Sequence, residues 1–300
     1  MTHTMFTATL TAMALVSGLG FTDVAEAGKW KKRQNVRIQN VIEATDLNNK
    51  ANPTVQPQDP ALSGNDRDQT LQFGDVLRGT RKDDLIIGKL GTDLLIGNRG
   101  NDVLLGGTED FNPLNRDRAF GGRGHDIFMW APGDGSDLFE GGKGRDAVLF
   151  GKIGEIADSG NIEFNVSLPG TPGSQDSDPI FLNPLTNLPL MDVSGSPGFC
   201  EIIDESNAEG GKAALDALGV DHLVKFLIRG VANAFGSGVQ STDNGLRVTL
   251  HLKDVETLVC TNRDGGLVQV FDLTKSPAQE IDIDQIQNNK LRNRIKAMVF

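Results

Sequence analysis

Short apolar stretches separated by glycine and aspartate fill the middle of the chain. Between residues 71 and 151 each stretch is about three residues long and directly follows an aspartate, as in Leu94-Leu-Ile, Val103-Leu-Leu and Ile127-Phe-Met. A strand of that length is not stable alone. The pattern therefore predicts short strands that stack on one another, in a mainly β protein.

Residues 152–300 have longer patterns, which predict a mixed β/α C-terminal domain with one main amphipathic helix. The strand-like runs are Ile162–Leu168, Arg247–Leu252 and Leu267–Leu273. The helix is predicted over 221–235, where Asp221 suits the N-cap. Apolar residues follow it with helical spacing: Val224, Leu227, Ile228, Val231 and Phe235.

The aspartates of the middle block, residues 71–151, recur in one register. Asp75, Asp84, Asp93 and Asp102 are nine residues apart, and after an interruption the register returns at Asp126, Asp137 and Asp146. The copies follow the pattern G-G-x-G-x-D-x-U-x, where U is apolar. This motif resembles the hemolysin-type, repeat-in-toxin (RTX) calcium-binding family, and the resemblance covers about 80 residues.

Glycine and aspartate at this spacing suit a calcium site. Glycines let the backbone turn tightly, so that carbonyl oxygens converge, and the aspartate adds a carboxylate. Ca²⁺ takes six to eight such oxygens in an irregular geometry, whereas Mg²⁺ demands a near-octahedral shell. The residue types themselves therefore favour Ca²⁺.

The RTX resemblance implies a parallel β-roll in which two nonapeptides make one turn and several Ca²⁺ ions lie between the loops of successive turns. The implied ligands are Asp84, Asp93, Asp102, Asp126, Asp137 and Asp146. Asp75 and Asp117 are the weakest candidates, because their copies carry Phe73 and Asn115 where glycine belongs. The copy of Asp84 departs too, with Lys82 at a glycine position.

Alternation along each strand predicts which residues form the core of the roll. The middle residue of each apolar stretch should point inward: Ile86, Leu95, Leu104, Phe128, Phe139 and Val148. On one side of the roll the outward residues are all apolar: Leu85, Ile87, Val103, Leu105, Ile127, Met129, Ala147 and Leu149. A bare apolar sheet of this size invites association. We therefore expect the C-terminal domain, through helix 221–235, or a second subunit to cover it.

The start of the chain has the features of an export signal. An uncharged, largely apolar run from Phe6 to Phe21 precedes Ala25-Glu-Ala27, the small-x-small pattern of a signal-peptidase site. Residues 1–27 are therefore predicted to be a signal peptide and 28–70 a polar leader or linker, with an extracellular or periplasmic destination. The alternative, one anchoring helix, is short for a membrane span.

Cys200 and Cys260 are the only cysteines. In an oxidising compartment such a pair tends to form a disulfide, which we expect here. Two buried free thiols are the alternative. No Cys or His cluster has the spacing of a zinc site.

The net charge and the absence of catalytic motifs narrow the classes of function that the protein could have. A formal net charge of −11 disfavours nucleic acid as a partner, and no stretch after residue 27 is long and apolar enough to span a bilayer. No HExxH or GxSxG motif occurs, which favours a protein without catalytic activity. We expect an exported calcium-binding protein that presents its C-terminal domain to an extracellular protein or polysaccharide. The alternatives are a hydrolase or lyase acting on an extracellular polymer, with the roll as a folding aid, and a surface or matrix adhesion module.

Overall fold

A computed structural model describes the chain over residues 36–44, 75–89, 92–107, 116–132, 134–157, 159–164, 179–229 and 247–299. The predicted signal peptide and most of the predicted leader lie outside the described residues. Two β-sheets dominate the described part, and their strands are numbered along the chain.

The first sheet has eight strands. Their spatial order is β1 (Asn40–Glu43), β3 (Asp84–Ile87), β5 (Val103–Leu105), β7 (Ile127–Trp130), β9 (Ala147–Phe150), β17 (Thr257–Thr261), β18 (Val268–Asp272) and β19 (Gln279–Ile281). Neighbours are parallel from β1 to β17 and antiparallel from β17 to β19.

The second sheet has seven strands. Their spatial order is β14 (Gly198–Ile203), β15 (His222–Ile228), β16 (Arg247–Lys253), β8 (Leu138–Gly144), β6 (Arg118–Gly124), β4 (Leu94–Arg99) and β2 (Val76–Arg78). Neighbours are parallel from β16 to β2, whereas β14, β15 and β16 are antiparallel.

The remaining elements are short. Two ribbons pair β10 (Lys152–Ile153) with β13 (Met191–Asp192) and β11 (Glu155–Ile156) with β12 (Ile162–Glu163). The described helices are α1 (Gly211–Leu218), a 3₁₀ turn (Ile283–Gln285) and α2 (Asn289–Met298). Within the described part of the chain, no helix combines the length and the apolar composition needed to cross a membrane.

The middle block forms the predicted parallel β-roll. Consecutive repeats contribute strands alternately to the second and the first sheet, so that two nonapeptides complete one turn. Residues 152–300 continue both sheets, because β16 pairs in parallel with β8 and β17 with β9. Residues 40–43, within the predicted leader, extend the first sheet at its other end by pairing with β3.

The inner core of the roll lies between the two sheets. It contains all six residues that the alternation points inward, and each of them is fully buried: Ile86, Leu95, Leu104, Phe128, Phe139 and Val148. The rings of Phe128 and Phe139 stack with centroids 5.3 Å apart. The predicted core of the roll is confirmed.

A second hydrophobic cluster covers the outer face of the first sheet. The eight outward apolar residues of the roll are all buried there. The residues that cover them come from α2 and from two other segments: Leu291, Ile295, Met298, Leu188, Met191, Val193, Val36 and Ile38. The C-terminal region thus covers this face, as expected, but not through a helix at 221–235.

The predicted helix over 221–235 is wrong in its described part, which is strand β15. Buried and less buried residues alternate along it, and His222, Val224 and Phe226 are the buried ones. Strands β14 and β16 on its two sides pair with its backbone. Residues 230–235 lie outside the described residues. The helix of this region, α1, ends just before the strand at Gly219, which has a left-handed conformation.

Cys200 of β14 and Cys260 of β17 form the predicted disulfide, with their Cα atoms 6.2 Å apart. Because β14 belongs to the second sheet and β17 to the first, the bond joins the two sheets. Cys200 and Cys260 both pack in the inner core cluster.

Candidate metal centre

The predicted aspartates form two columns along the roll. The first column directly precedes or begins the strands of the first sheet: Asp84, Asp102, Asp126 and Asp146. The second column precedes the strands of the second sheet: Asp75, Asp93, Asp117 and Asp137. All are buried except Asp75, which is half-buried. The weak candidate Asp117 therefore lies in the same place in its turn as the others.

A ladder of hydrogen bonds links the members of each column. The backbone N–H of Asp84 donates to Oδ1 of Asp102 (2.9 Å), Asp102 donates to Asp126 (2.7 Å) and Asp126 to Asp146 (2.7 Å). The second column repeats this pattern through Asp75, Asp93, Asp117 and Asp137. One carboxylate oxygen of each aspartate after the first in its column is thus bonded within the protein.

The second carboxylate oxygen is in a different situation. Among the described residues, the buried Oδ2 atoms of five aspartates have no hydrogen-bond partner: Asp93, Asp102, Asp126, Asp137 and Asp146. A buried carboxylate oxygen without a partner is costly. A proton or a cation is needed to complete each of these sites.

Glycine backbone surrounds these oxygens closely. A Cβ atom built on Gly97 would lie 2.4 Å from Oδ2 of Asp102 and 2.5 Å from the carbonyl oxygen of Gly121. A Cβ on Gly121 would meet Oδ2 of Asp126 and the carbonyl of Gly141 in the same way, at 2.5 and 2.8 Å. Glycine therefore keeps open the small volume into which a carboxylate and a carbonyl oxygen converge.

The donors around this volume fit Ca²⁺. In the described part of the chain, no group of three or more His, Cys, Asp or Glu side chains is arranged to hold a metal. An ion in the roll would therefore combine an aspartate oxygen with backbone carbonyls. Ca²⁺ accepts such an all-oxygen set in irregular geometry, whereas zinc sites use nitrogen and sulfur.

The first column is closed at its start by protein donors. The side-chain amide of Asn40, on β1, donates to Oδ1 of Asp84. The N–H of Thr80 donates to Oδ2 of Asp84 (2.5 Å). Because both carboxylate oxygens are already bonded, Asp84 has less need of a cation than the aspartates that follow it.

The far end of the first column is completed by residues outside the repeats. The N–H of Asp146 donates to Oε2 of Glu256 (2.7 Å), as each earlier aspartate donates to the next. A Cβ on Gly141 would lie 2.3 Å from the carbonyl oxygen of Asp254, which stands where glycine carbonyls stand in earlier turns. Glu256 and Asp254 were missed by the sequence reasoning because no nonapeptide marks them.

The C-terminal segment binds the roll beside the first column. Residues at the fifth repeat position form their own ladder, in which the N–H of Asn101 donates to Asp83 and the N–H of His125 to Asn101. The fully buried guanidinium of Arg294 donates to the carboxylate of Asp83 (2.7 Å) and to the carbonyl of Asn101. Lys290 also pairs with Asp83, at 3.2 Å. The basic C-terminal stretch thus anchors α2 to the turns that carry the aspartates.

Burial is the main cause of the raised pKa values of the aspartates in the two columns. It raises the pKa of Asp93 and Asp126 to about 7, that of Asp146 to about 8 and that of Asp102 to about 9. Neighbouring carboxylates of the same column add to the shift for Asp102 and Asp146. Without a cation, Asp146 and Asp102 therefore retain their protons at neutral pH, and Asp93 and Asp126 retain part of theirs.

This acidity predicts an unusual pH dependence in metal-free buffer. A carboxyl group whose pKa is higher in the folded than in the unfolded protein binds extra protons when folded, so its stabilising effect is lost as pH rises through the folded pKa. We expect the free energy of unfolding to fall by roughly 4 kcal/mol between pH 7 and 9, because Asp102 and Asp146 hold their protons in the folded protein up to about pH 9 and 8, whereas the unfolded protein has already lost them.

Urea unfolding of calcium-free protein at several pH values measures this effect. Burial lowers the pKa of His125, His222 and His251. The titration of these histidines raises the free energy of unfolding with pH only below about pH 6.5. It therefore does not mask the expected fall between pH 7 and 9. Asp102→Asn should reduce the slope. A free energy of unfolding that stays constant or rises from pH 7 to 9 would contradict the prediction.

Comparison with protein families agrees with the geometry. The RTX calcium-binding nonapeptide repeat matches the chain in four copies, over residues 71–108 and 133–151. Asp117 and Asp126 lie between the matched ranges and continue the same two columns. No curated protein and no solved structure is significantly similar to the chain. The carboxylate columns are thus built largely from segments that match the RTX calcium-binding nonapeptide repeat.

Proposed function

We propose that the chain is an exported calcium-binding protein whose roll folds around several Ca²⁺ ions. The observation that carries the proposal is the convergence of buried Oδ2 atoms, without hydrogen-bond partners in the described residues, on glycine-lined carbonyl oxygens. The aspartates that would supply an oxygen are Asp93, Asp102, Asp126, Asp137 and Asp146. Asp84 and Asp75, at the start of their columns, would contribute least.

The bound ions would connect the roll to the rest of the chain. Each ion would lie between two turns and offset the repulsion among carboxylates of one column. Both sheets run on into residues 152–300, and α2 contacts the turns through Arg294. Calcium would therefore stabilise the C-terminal surface that is offered to a partner.

Two features support export. The first 27 residues have the pattern of a cleavable signal. The Cys200–Cys260 bond is of a kind that persists in oxidising compartments. We propose a periplasmic or extracellular location on this basis.

Calorimetric titration of two matched variants with Ca²⁺ tests the proposal. Asp102→Ala removes both a ladder acceptor and a buried Oδ2, and should lower the number of bound ions or weaken their binding about tenfold or more. Asp75→Ala removes a half-buried carboxylate and keeps the backbone N–H that donates to Asp93, so it should bind nearly as wild type does.

A conservative variant separates binding from folding. Asp102→Asn retains an oxygen that can accept from the N–H of Asp84 but removes the anionic charge. It should fold in high calcium and still bind more weakly than wild type. Identical titrations for the Asp102 and Asp75 variants would show that the columns do not hold the ions.

A further inference from the structure

Four exposed cations form one row along an edge of the roll, which we call the basic row. Arg81, Arg99, Arg123 and Lys143 each lie three residues before an aspartate of the first column. Strand pairing places Arg99 beside Arg123 and Arg123 beside Lys143. Since neighbouring strands are about 4.8 Å apart, the row is a regular ladder of positive charge.

The basic row lines a single groove on the protein surface. All four residues line it, together with Gly122, Gly142 and Phe120. Glycine at these points leaves the groove open between one cation and the next. An extended polymer could therefore lie along the row.

Fold stability does not explain the basic row. Like charges directly opposite on neighbouring strands are destabilising. In the part of the chain that the structure describes, ion pairs are formed by other cations and by none of these four. Two carboxylates also line the groove, Glu140 and Asp254, and Glu140 is paired with Lys253 at 3.6 Å. The row is thus available to an external anion.

We propose that this groove binds a linear acidic polysaccharide that carries a carboxylate on each sugar. The guanidinium fork of arginine matches a carboxylate in two parallel hydrogen bonds, and successive turns present such cations at regular intervals. Sequence-tolerant binding of single-stranded nucleic acid uses aromatic stacking platforms. The groove offers only the half-buried Phe120 for stacking.

Calcium should control this binding, and in this respect the inference rests on the proposed function. Each cation of the row is three residues before a first-column aspartate, so a Ca²⁺ ion held by that aspartate would make the turn more positive. Bound ions would also add positive charge to a chain whose formal net charge is −11. The groove should therefore bind the polysaccharide more tightly in the calcium-bound protein than in chelator, and equal binding in the two conditions would contradict this.

The test uses an oligogalacturonate of defined length and measures its binding by calorimetry, in low salt at fixed free calcium. The variant is Arg99→Gln, Arg123→Gln and Lys143→Gln together. The matched control removes three exposed cations that do not line the groove: Lys212→Gln, Arg263→Gln and Lys275→Gln. At roughly threefold per exposed cation, the groove variant should bind about thirtyfold more weakly than wild type, and the control nearly as tightly.

Separate calcium titrations distinguish a failure of the groove proposal from a failure of the proposed calcium-binding function. Both triple variants should bind Ca²⁺ as wild type does, because no aspartate of the columns is changed. If calcium binding is intact but both variants bind the oligosaccharide equally, or a single-stranded DNA of equal charge binds as tightly, the groove proposal is wrong. If wild type binds no Ca²⁺ at all, the proposed function itself fails, and the groove proposal fails with it.

Discussion

Removal of calcium is expected to unfold the roll above about pH 8, where its buried carboxyl groups lose their protons. The columns place buried carboxylates one turn apart, and five of them have an Oδ2 atom that no described residue bonds. Without a cation these groups must be protonated or must repel one another. For each site, free calcium at a hundredfold excess over the dissociation constant adds about 2.7 kcal/mol to the free energy of unfolding. Several sites together would exceed the whole stability of many domains.

Circular dichroism at pH 9, in chelator and in millimolar calcium, measures the effect, with magnesium at the same concentration as the control. The calcium-free protein should lose β-sheet signal and regain it on titration with calcium. Magnesium should restore little, because it dehydrates reluctantly and demands octahedral geometry. Identical spectra in chelator and calcium would rule out calcium-linked folding.

Loss of the disulfide is expected to have the next largest effect. The bond closes a loop of 60 residues and connects the two sheets where they leave the roll. A loop of that size corresponds to about 4 kcal/mol in the chain-entropy treatment. Cys200→Ala combined with Cys260→Ala should lower the free energy of unfolding by about that amount, even in saturating calcium.

Urea unfolding of the double alanine variant and of reduced wild type provides the measurement. The two should unfold at similar urea concentrations, since both lack the covalent link. Alanine avoids leaving a hydroxyl in the buried position of Cys260. An unchanged unfolding midpoint for the variant in saturating calcium would mean that the bond adds nothing to stability.

The sequence predicted the roll well because its signal is periodic. The apolar middle residue of each stretch, such as Leu104 or Phe128, had to point inward once the strands were stacked, and both are fully buried. The all-apolar outer face of the first sheet required a cover, and the second hydrophobic cluster supplies one. Both inferences follow from strand alternation and from the cost of exposing apolar area.

The elements that the sequence did not predict have no comparable repeat in their apolar positions. Val224, Leu227 and Ile228 match helical spacing, yet tertiary pairing on both edges makes the segment a strand. The residues of α2 are mostly polar, so its buried face of Leu291, Ile295 and Met298 was not recognised. Propensity and spacing are weak wherever long-range pairing decides the structure.

Glu256 escaped notice for a different reason. Lys253 is level with Glu140 and Thr257 with Ala147, so three residues of the final turn replace the six that a repeat uses. The final turn therefore keeps the backbone register of the roll without its motif. Only the structure shows that its carboxylate continues the first column.

The reversal of strand direction after β16 and β17 has a consequence for self-association. A stack of parallel coils offers a complete row of free N–H and C=O groups at its end, and identical coils from other molecules could add to it without limit, as in a fibril. Here β17, β18 and β19 turn back on one another, as do β16, β15 and β14. A second roll that met these antiparallel strands would find no parallel edge to extend. The non-repeat strands therefore set the length of the stack and keep it from growing into filaments.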